Sequence, residues 1–158
     1  MTRLPALGPR GEGWVGIQFL LLGLLAVAGF GGGAWTGAAR IATTAAGIPL
    51  AVAGLVLLRR GVADLGRNLT PNPRPRDDGE LVESGIYARV RHPIYGGLVV
   101  VAVAWGLLTA SPPALVLAAA LLGFFVLKAR REEAWLVARF PGYPAYRGRT
   151  RRLIPWLL

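Results

Sequence analysis

The apolar positions fall into four long blocks separated by polar breaks, at about 14–35, 38–58, 94–110 and 112–127. The first two reach about twenty residues, enough for a helix to cross roughly 30 Å of hydrocarbon. The third and fourth are shorter, and only Ser111 with Pro112-Pro113 separates their cores. Proline is tolerated in the first turn of a helix, so this pair opens the second arm of a tight helical hairpin. Pro93 marks another helix start, with His92 just outside it. Past 127 the helix continues through polar turns until Pro141-Gly142 stops it after Phe140. The pattern predicts an all-α polytopic membrane protein: four transmembrane helices with a C-terminal helical hairpin, in one membrane-embedded domain over 1–158.

Composition agrees with a membrane protein. Hydrophobic residues make up 54% of the 158, and the mean hydropathy of +0.49 exceeds what a soluble domain of this size carries. The net charge of +10 is distributed unevenly: of 18 lysines and arginines, only Arg40 falls between the first and second blocks or at the hairpin tip. The positive-inside rule therefore places both termini, the loop 59–93 and the segment 128–158 in the cytoplasm. Basic residues beside apolar runs point to a lipid bilayer as partner and not to nucleic acid. There are no cysteines and one histidine, which excludes disulfides and thiolate chemistry and leaves no set for a protein-only zinc site.

Smaller features follow. The first block is too long for a signal-peptide core and reads as a retained span. Gly29 and Gly33 are spaced as GxxxG, and Ala42, Ala46, Pro49 and Ala53 place small or kinking residues on the second span. They predict close packing inside one subunit, with the oligomeric state left open. Residues 66–80, rich in proline, asparagine and arginine, read as an ordered or semi-ordered loop and not a helix, where the glycosylation sequon at Asn68 is a chance match. Trp156 suits a membrane interface.

Chemistry concentrates in two polar clusters, Tyr87 to Tyr95 and Lys128 to Tyr146, which the hairpin brings side by side at its open end. Taken singly, each residue has an ordinary reading. Lys128 and Glu132 form an i,i+4 surface ion pair. Glu133, about 100° away, lies on a solvated face beside Arg130 or Arg131. His92 caps a helix through its ring, and Tyr87 and Tyr95 are interface aromatics. Together at one membrane edge they predict a polar ligand site.

The stretch LVESGIY, then RHPIYGG, then REEAWLVARF, then a Tyr-x-x-Tyr and a basic run ending in Ile-Pro resembles the integral-membrane methyltransferases. That family includes isoprenylcysteine carboxyl methyltransferases and phospholipid N-methyltransferases, and the resemblance runs from about 68 to 155. It implies S-adenosylmethionine as cofactor, held by Glu80, Leu81, Val82, Tyr87, His92, Pro93, Ile94, Tyr95 and Glu132, with no metal. Lys128 stands where the isoprenylcysteine branch has an arginine implicated in substrate handling, which makes it the catalytic candidate. The implied activity is methyl transfer to a lipophilic small acceptor (carboxylate, amine or thiol) at the cytoplasmic face, and the compact form suits a bacterial inner membrane.

The residue types fit that chemistry on their own terms. A sulfonium donor with carboxylate, amine and ribose hydroxyls needs hydrogen-bonding groups of both polarities and an aromatic seat. In-line displacement draws its rate from positioning and desolvation. Three departures stand out: Gly85-Ile86-Tyr87 replaces the usual Gly-Pro-Tyr, Pro141 replaces a glycine, and Tyr143 comes one residue early. Lysine for arginine also exchanges a bidentate clamp for a point charge. Two other classes share parts of the pattern, an NADPH-dependent reductase of the sterol-reductase type and a non-catalytic membrane protein on the same fold.

Overall fold

A computed structural model describes residues 4–155, and Trp156 lies outside them. Five helices follow in order: α1 Glu12–Phe30, α2 Gly37–Leu65, α3 Pro93–Leu108, α4 Pro112–Arg139 and α5 Tyr143–Arg149. Among the described residues the fold is all-helical apart from an isolated parallel bridge between Val90 and Arg151. By length and hydropathy α1, α2 and α4 can each cross a membrane. At 16 residues, α3 rises only about 24 Å, so the four-span expectation is met by length in three helices.

The helices pack in the order α2, α3, α4, α1. The short helix is the surrounded one, and its buried side chains are correspondingly small: Gly96, Gly97, Ala102, Ala104 and Gly106. Small residues let neighbouring backbones approach, which is how helices gain contact where lipid offers no hydrophobic drive. Gly47, Gly54 and Gly61 repeat every seven residues along α2 and meet Leu108, Val101 and Ile94 of the antiparallel α3 in turn. A Cβ on Gly97 would fall 2.8 Å from the Leu58 nitrogen and 2.9 Å from the Gly54 carbonyl, so here backbone touches backbone.

The GxxxG expectation is corrected. Gly33 lies beyond the end of α1, and Gly29 is small because Trp105 of α3 packs over it. The packing is within one subunit, but the glycine stripe that serves it is on α2. The outer faces of α1 and α2 expose Phe19, Leu20, Val27, Phe30, Ile41 and Val52, as helices facing hydrocarbon do.

The hairpin turn forms as its sequence dictates. Ser111 is the N-cap of α4, accepting from the Ala114 nitrogen, and its hydroxyl donates to the Ala28 carbonyl at 2.8 Å. At the other end, the loop between α2 and α3 contains two single turns of 3-10 helix, Gly66–Asn68 and Gly85–Ala88. The second is pinned to α2 by Asp64, whose carboxylate accepts the Ile86 N–H at 2.7 Å. Gly85 has φ of +60°, and a Cβ there would collide with that carboxylate at 2.2 Å. The backbone demands glycine at this position.

Candidate functional site

The open end of the hairpin encloses a cavity of about 330 Å³, within the size range of small-molecule sites. Its walls come from α1 (Gln18), the stretch 65–82, the α3 entrance (Tyr87, Arg91, His92, Ile94, Tyr95), α4 (Lys128, Glu132, Leu136) and the C-terminal segment (Phe140, Tyr143, Tyr146). Of the residues picked from sequence, Glu80, Leu81, Val82, Tyr87, His92, Ile94, Tyr95, Lys128 and Glu132 all line it. Pro93 does not. It is fully buried as the first residue of α3, packed against Gly61 of α2. Glu80 is at the rim, its side chain largely exposed and paired with Arg67.

The two clusters meet through direct bonds. The Tyr95 hydroxyl donates to Glu132 Oε2 at 2.8 Å. His92 Nδ1 lies 3.6 Å from the same oxygen. The His92 ring stacks on Tyr95 with centroids 5.4 Å apart, and Tyr95 stacks on Phe125 at 4.7 Å. An aromatic ladder thus runs from the cavity into the core formed by Leu25, Val99, Leu121 and Phe125. His92 is the N-cap residue of α3, but its ring makes no capping bond. The ring is turned toward α4 instead, which corrects the simple cap expectation.

Lys128 and Glu132 share a helix face but form no ion pair. Lys128 is fully buried, and its ammonium donates to Gln18 Oε1 of α1 and to the Pro71 carbonyl at 3.1 Å, while lying 5.2 Å above the Tyr95 ring. A buried ammonium must be hydrogen-bonded, and these contacts tie α1 and the loop to α4. Gln18 had a legible signal, a lone amide inside an apolar span.

Glu133 departs most from expectation. It is 3% exposed, and neither Arg130 nor Arg131 reaches it. Arg91 Nε donates to its Oε1 at 2.9 Å and Arg152 Nε to the same oxygen at 3.2 Å. Arg131 instead stacks on Trp135 at 3.9 Å. The periodicity of α4 alone could not foresee this, because the partners come from distant segments.

The C-terminal segment closes the site. Arg91 N donates to the Arg151 carbonyl at 2.9 Å and His92 N to the Arg152 carbonyl at 2.8 Å. The first glycine of RHPIYGG explains itself here: a Cβ on Gly96 would sit 1.9 Å from the Leu153 carbonyl oxygen. The Tyr146 hydroxyl donates to the Tyr87 carbonyl at 2.7 Å, and the Tyr87 hydroxyl to the Gly61 carbonyl at 3.1 Å. The buried Tyr143 hydroxyl has no hydrogen-bond partner among the described residues. Burial raises the pKa of all three tyrosines above the ordinary phenol value, with the Glu132 charge adding at Tyr87 and the Glu133 charge at Tyr143. They therefore stand in the site as neutral donors.

Residues 42–142 match a family model described as phospholipid methyltransferase. Among solved structures, the chain is similar to a eukaryotic intramembrane Ras methyltransferase, isoprenylcysteine carboxyl methyltransferase, at 24% identity and a TM-score of 0.60. The match covers 72% of this chain and 42% of that one, so this chain spans less than half of that structure's length, and the likeness is one of fold. No curated protein matches.

Proposed function

The chain belongs to the phospholipid methyltransferase family, and from that membership we propose that it transfers a methyl group from S-adenosylmethionine to a lipophilic acceptor at the cytoplasmic edge of the membrane. The observation that carries this reading is the cavity itself, lined by Glu132 and His92 together with the apolar Leu81, Val82 and Ile94. Such a mixture of a few convergent polar groups and apolar walls suits a ligand with a zwitterionic end and a flat base.

Two details of the residues fit that ligand. The buried, unpartnered Tyr143 hydroxyl belongs to a cavity-lining residue and offers a donor, which a buried polar group needs to spend. Glu132 Oε2 and His92 Nδ1, 3.6 Å apart, converge as acceptors for an amine or ribose hydroxyl. Bound there, S-adenosylmethionine would supply a sulfonium-activated methyl group to the acceptor's lone pair. The protein's part is to orient and to exclude water. Tyr95 holds Glu132 in place, the stacked rings of His92, Tyr95 and Phe125 keep the floor rigid, and Tyr143 and Tyr146 cover the site.

Lys128 is the candidate for the acceptor side. With two of its three protons engaged by Gln18 and Pro71, it retains one for an anionic oxygen of the acceptor. In this reading α3 serves as the fourth span, and the loop 59–93 and the segment 128–158 face the cytoplasm, as the arginine distribution indicates. Incubation of the purified protein in lipid nanodiscs with methyl-labelled S-adenosylmethionine and a lipid amine, a prenylated-cysteine carboxylate or an alkyl thiol tests it. Label in one acceptor class, lost in Glu132→Ala, is the expected result. Absence of label in every class, together with no binding of the donor, would contradict it.

A further inference from the structure

Glu133 lines no part of the cavity, yet it is among the most heavily engaged side chains in the protein. One helical position past Glu132, it points about 100° away, into a junction of three chain segments. Arg152 of the C-terminal segment binds it through both Nε (3.2 Å) and Nη2 (3.3 Å), and Arg91 binds it at 2.9 Å. Arg91 in turn donates to the Arg147 carbonyl at 3.0 Å and to Thr150. Two guanidinium groups already balance the carboxylate, and a third group, His92 Nε2, lies 3.4 Å from Oε1.

His92 is therefore flanked by two carboxylates from α4, Glu132 at Nδ1 and Glu133 at Nε2, with Arg91 beside it in the chain and Arg152 across from it. A neutral imidazole carries one N–H and must choose. Glu132 already accepts from Tyr95 and stands partly exposed at the cavity. Glu133 is buried and held by two arginines, so it is the fixed member of the pair. Among the described residues Nε2 is buried and makes no hydrogen bond, and Glu133 Oε1 lies beside it at 3.4 Å.

The geometry points to Glu133 as a positioning residue: it holds His92 with the proton on Nε2, so that the Nδ1 lone pair and Glu132 Oε2 form a paired acceptor seat for an ammonium group. The identity of that ammonium as the donor's amine rests on the methyl-transfer reading. The placement of the proton does not. Orientation of one ring nitrogen by the partner of the other is a general device in histidine sites.

His92 is the only histidine in the chain, so its imidazole nitrogens can be observed by nitrogen-15 NMR of the full-length, detergent-solubilised protein with no assignment step. The ligand-free wild type is expected to show a proton on Nε2 and none on Nδ1, and a proton found on Nδ1 would overturn the proposal outright. Glu133→Gln keeps the shape and removes the charge, and is expected to give mixed tautomers and about tenfold weaker binding of S-adenosylhomocysteine. Glu133→Asp keeps the charge but draws it back from Arg91, Arg152 and His92 alike, since all three meet Oε1, and is expected to give the same two changes with a lowered thermal midpoint, the tautomer being the readout that a purely structural clasp would not move. If both variants keep the wild-type tautomer and bind within about twofold of it, Glu133 is a clasp for the fold alone and the proposal is wrong. Because the NMR observation needs no ligand, a wild type that shows the Nε2 proton but binds no S-adenosylhomocysteine would support the role of Glu133 while contradicting the donor reading.

Discussion

Tyr95 donates to Glu132 across the two arms of the helical hairpin, 37 positions apart in the chain, at 2.8 Å. That bond fixes a carboxylate at the cavity wall, and the same tyrosine ring lies between His92 and Phe125 in the aromatic ladder. Tyr95→Phe removes the bond while keeping the ladder. The fold should survive, and S-adenosylhomocysteine should bind at least about tenfold more weakly, the worth of one hydrogen bond to a charged group. Calorimetric titration in detergent measures it, and unchanged affinity would show that Glu132 needs no orientation.

The contact between α2 and α3 should be intolerant of a single methyl. Gly97→Ala places a carbon 2.8 Å from the Leu58 nitrogen, where backbone must move, and should destabilise by about 1–3 kcal/mol. Gly123→Ala on α4 meets nothing within 4 Å and should leave the thermal midpoint unchanged or raise it. Equal midpoints for the two variants would show that the α2–α3 approach is looser than described.

Gly96→Ala tests the C-terminal cover separately from the helices. Its methyl would displace the Leu153 carbonyl and with it the bonds from Arg91 and His92 to Arg151 and Arg152. The helical far-ultraviolet signal should be retained, while limited trypsin cuts faster after Arg149, Arg151 and Arg152. Wild-type cleavage rates would mean that the segment is held by other contacts.

Alkali should unfold the site by a defined route. Tyr87, Tyr143 and Tyr146 have folded pKa values raised by burial above the ordinary phenol value of 10.0. Each therefore contributes stability fully below pH 10, and loses it as pH climbs from there, because only the unfolded chain then ionises. Each group steepens the decline by up to about 1.4 kcal/mol per pH unit. Thermal midpoints from neutral pH to pH 11 should hold level and then fall, and Tyr143→Phe should flatten the fall. A midpoint that declines no more steeply above pH 10 than below it would contradict the burial of these hydroxyls.

Much of this was legible in sequence because it is local or set by connectivity. Pro93 and Ser111-Pro112 begin their helices where composition says they should, and Pro141-Gly142 ends α4 after Arg139. The hairpin alone brings Tyr95 opposite Glu132, so the position of the cavity at its open end could be read before any contact was known. What could not be read are pairings between distant segments. Periodicity on α4 places Glu133 off the Lys128 face, but only the parallel bridge of Val90 with Arg151 shows that two arginines converge there. The seven-residue glycine repeat on α2 was visible in principle, yet its meaning depends on α3 running antiparallel beside it. Lys128 illustrates the opposite error, in which correct spacing suggested an ion pair with Glu132 while Gln18 and Pro71 supplied better partners.

The central claim is that the cavity holds the methyl donor through His92 and Glu132. Calorimetric titration of the purified protein with S-adenosylhomocysteine, alongside His92→Ala and Glu132→Ala, tests it most directly. Saturable binding at one site, lost or weakened by at least about tenfold in each variant, is the predicted result. A well-folded wild type that binds none, or variants that bind as the wild type does, would contradict it.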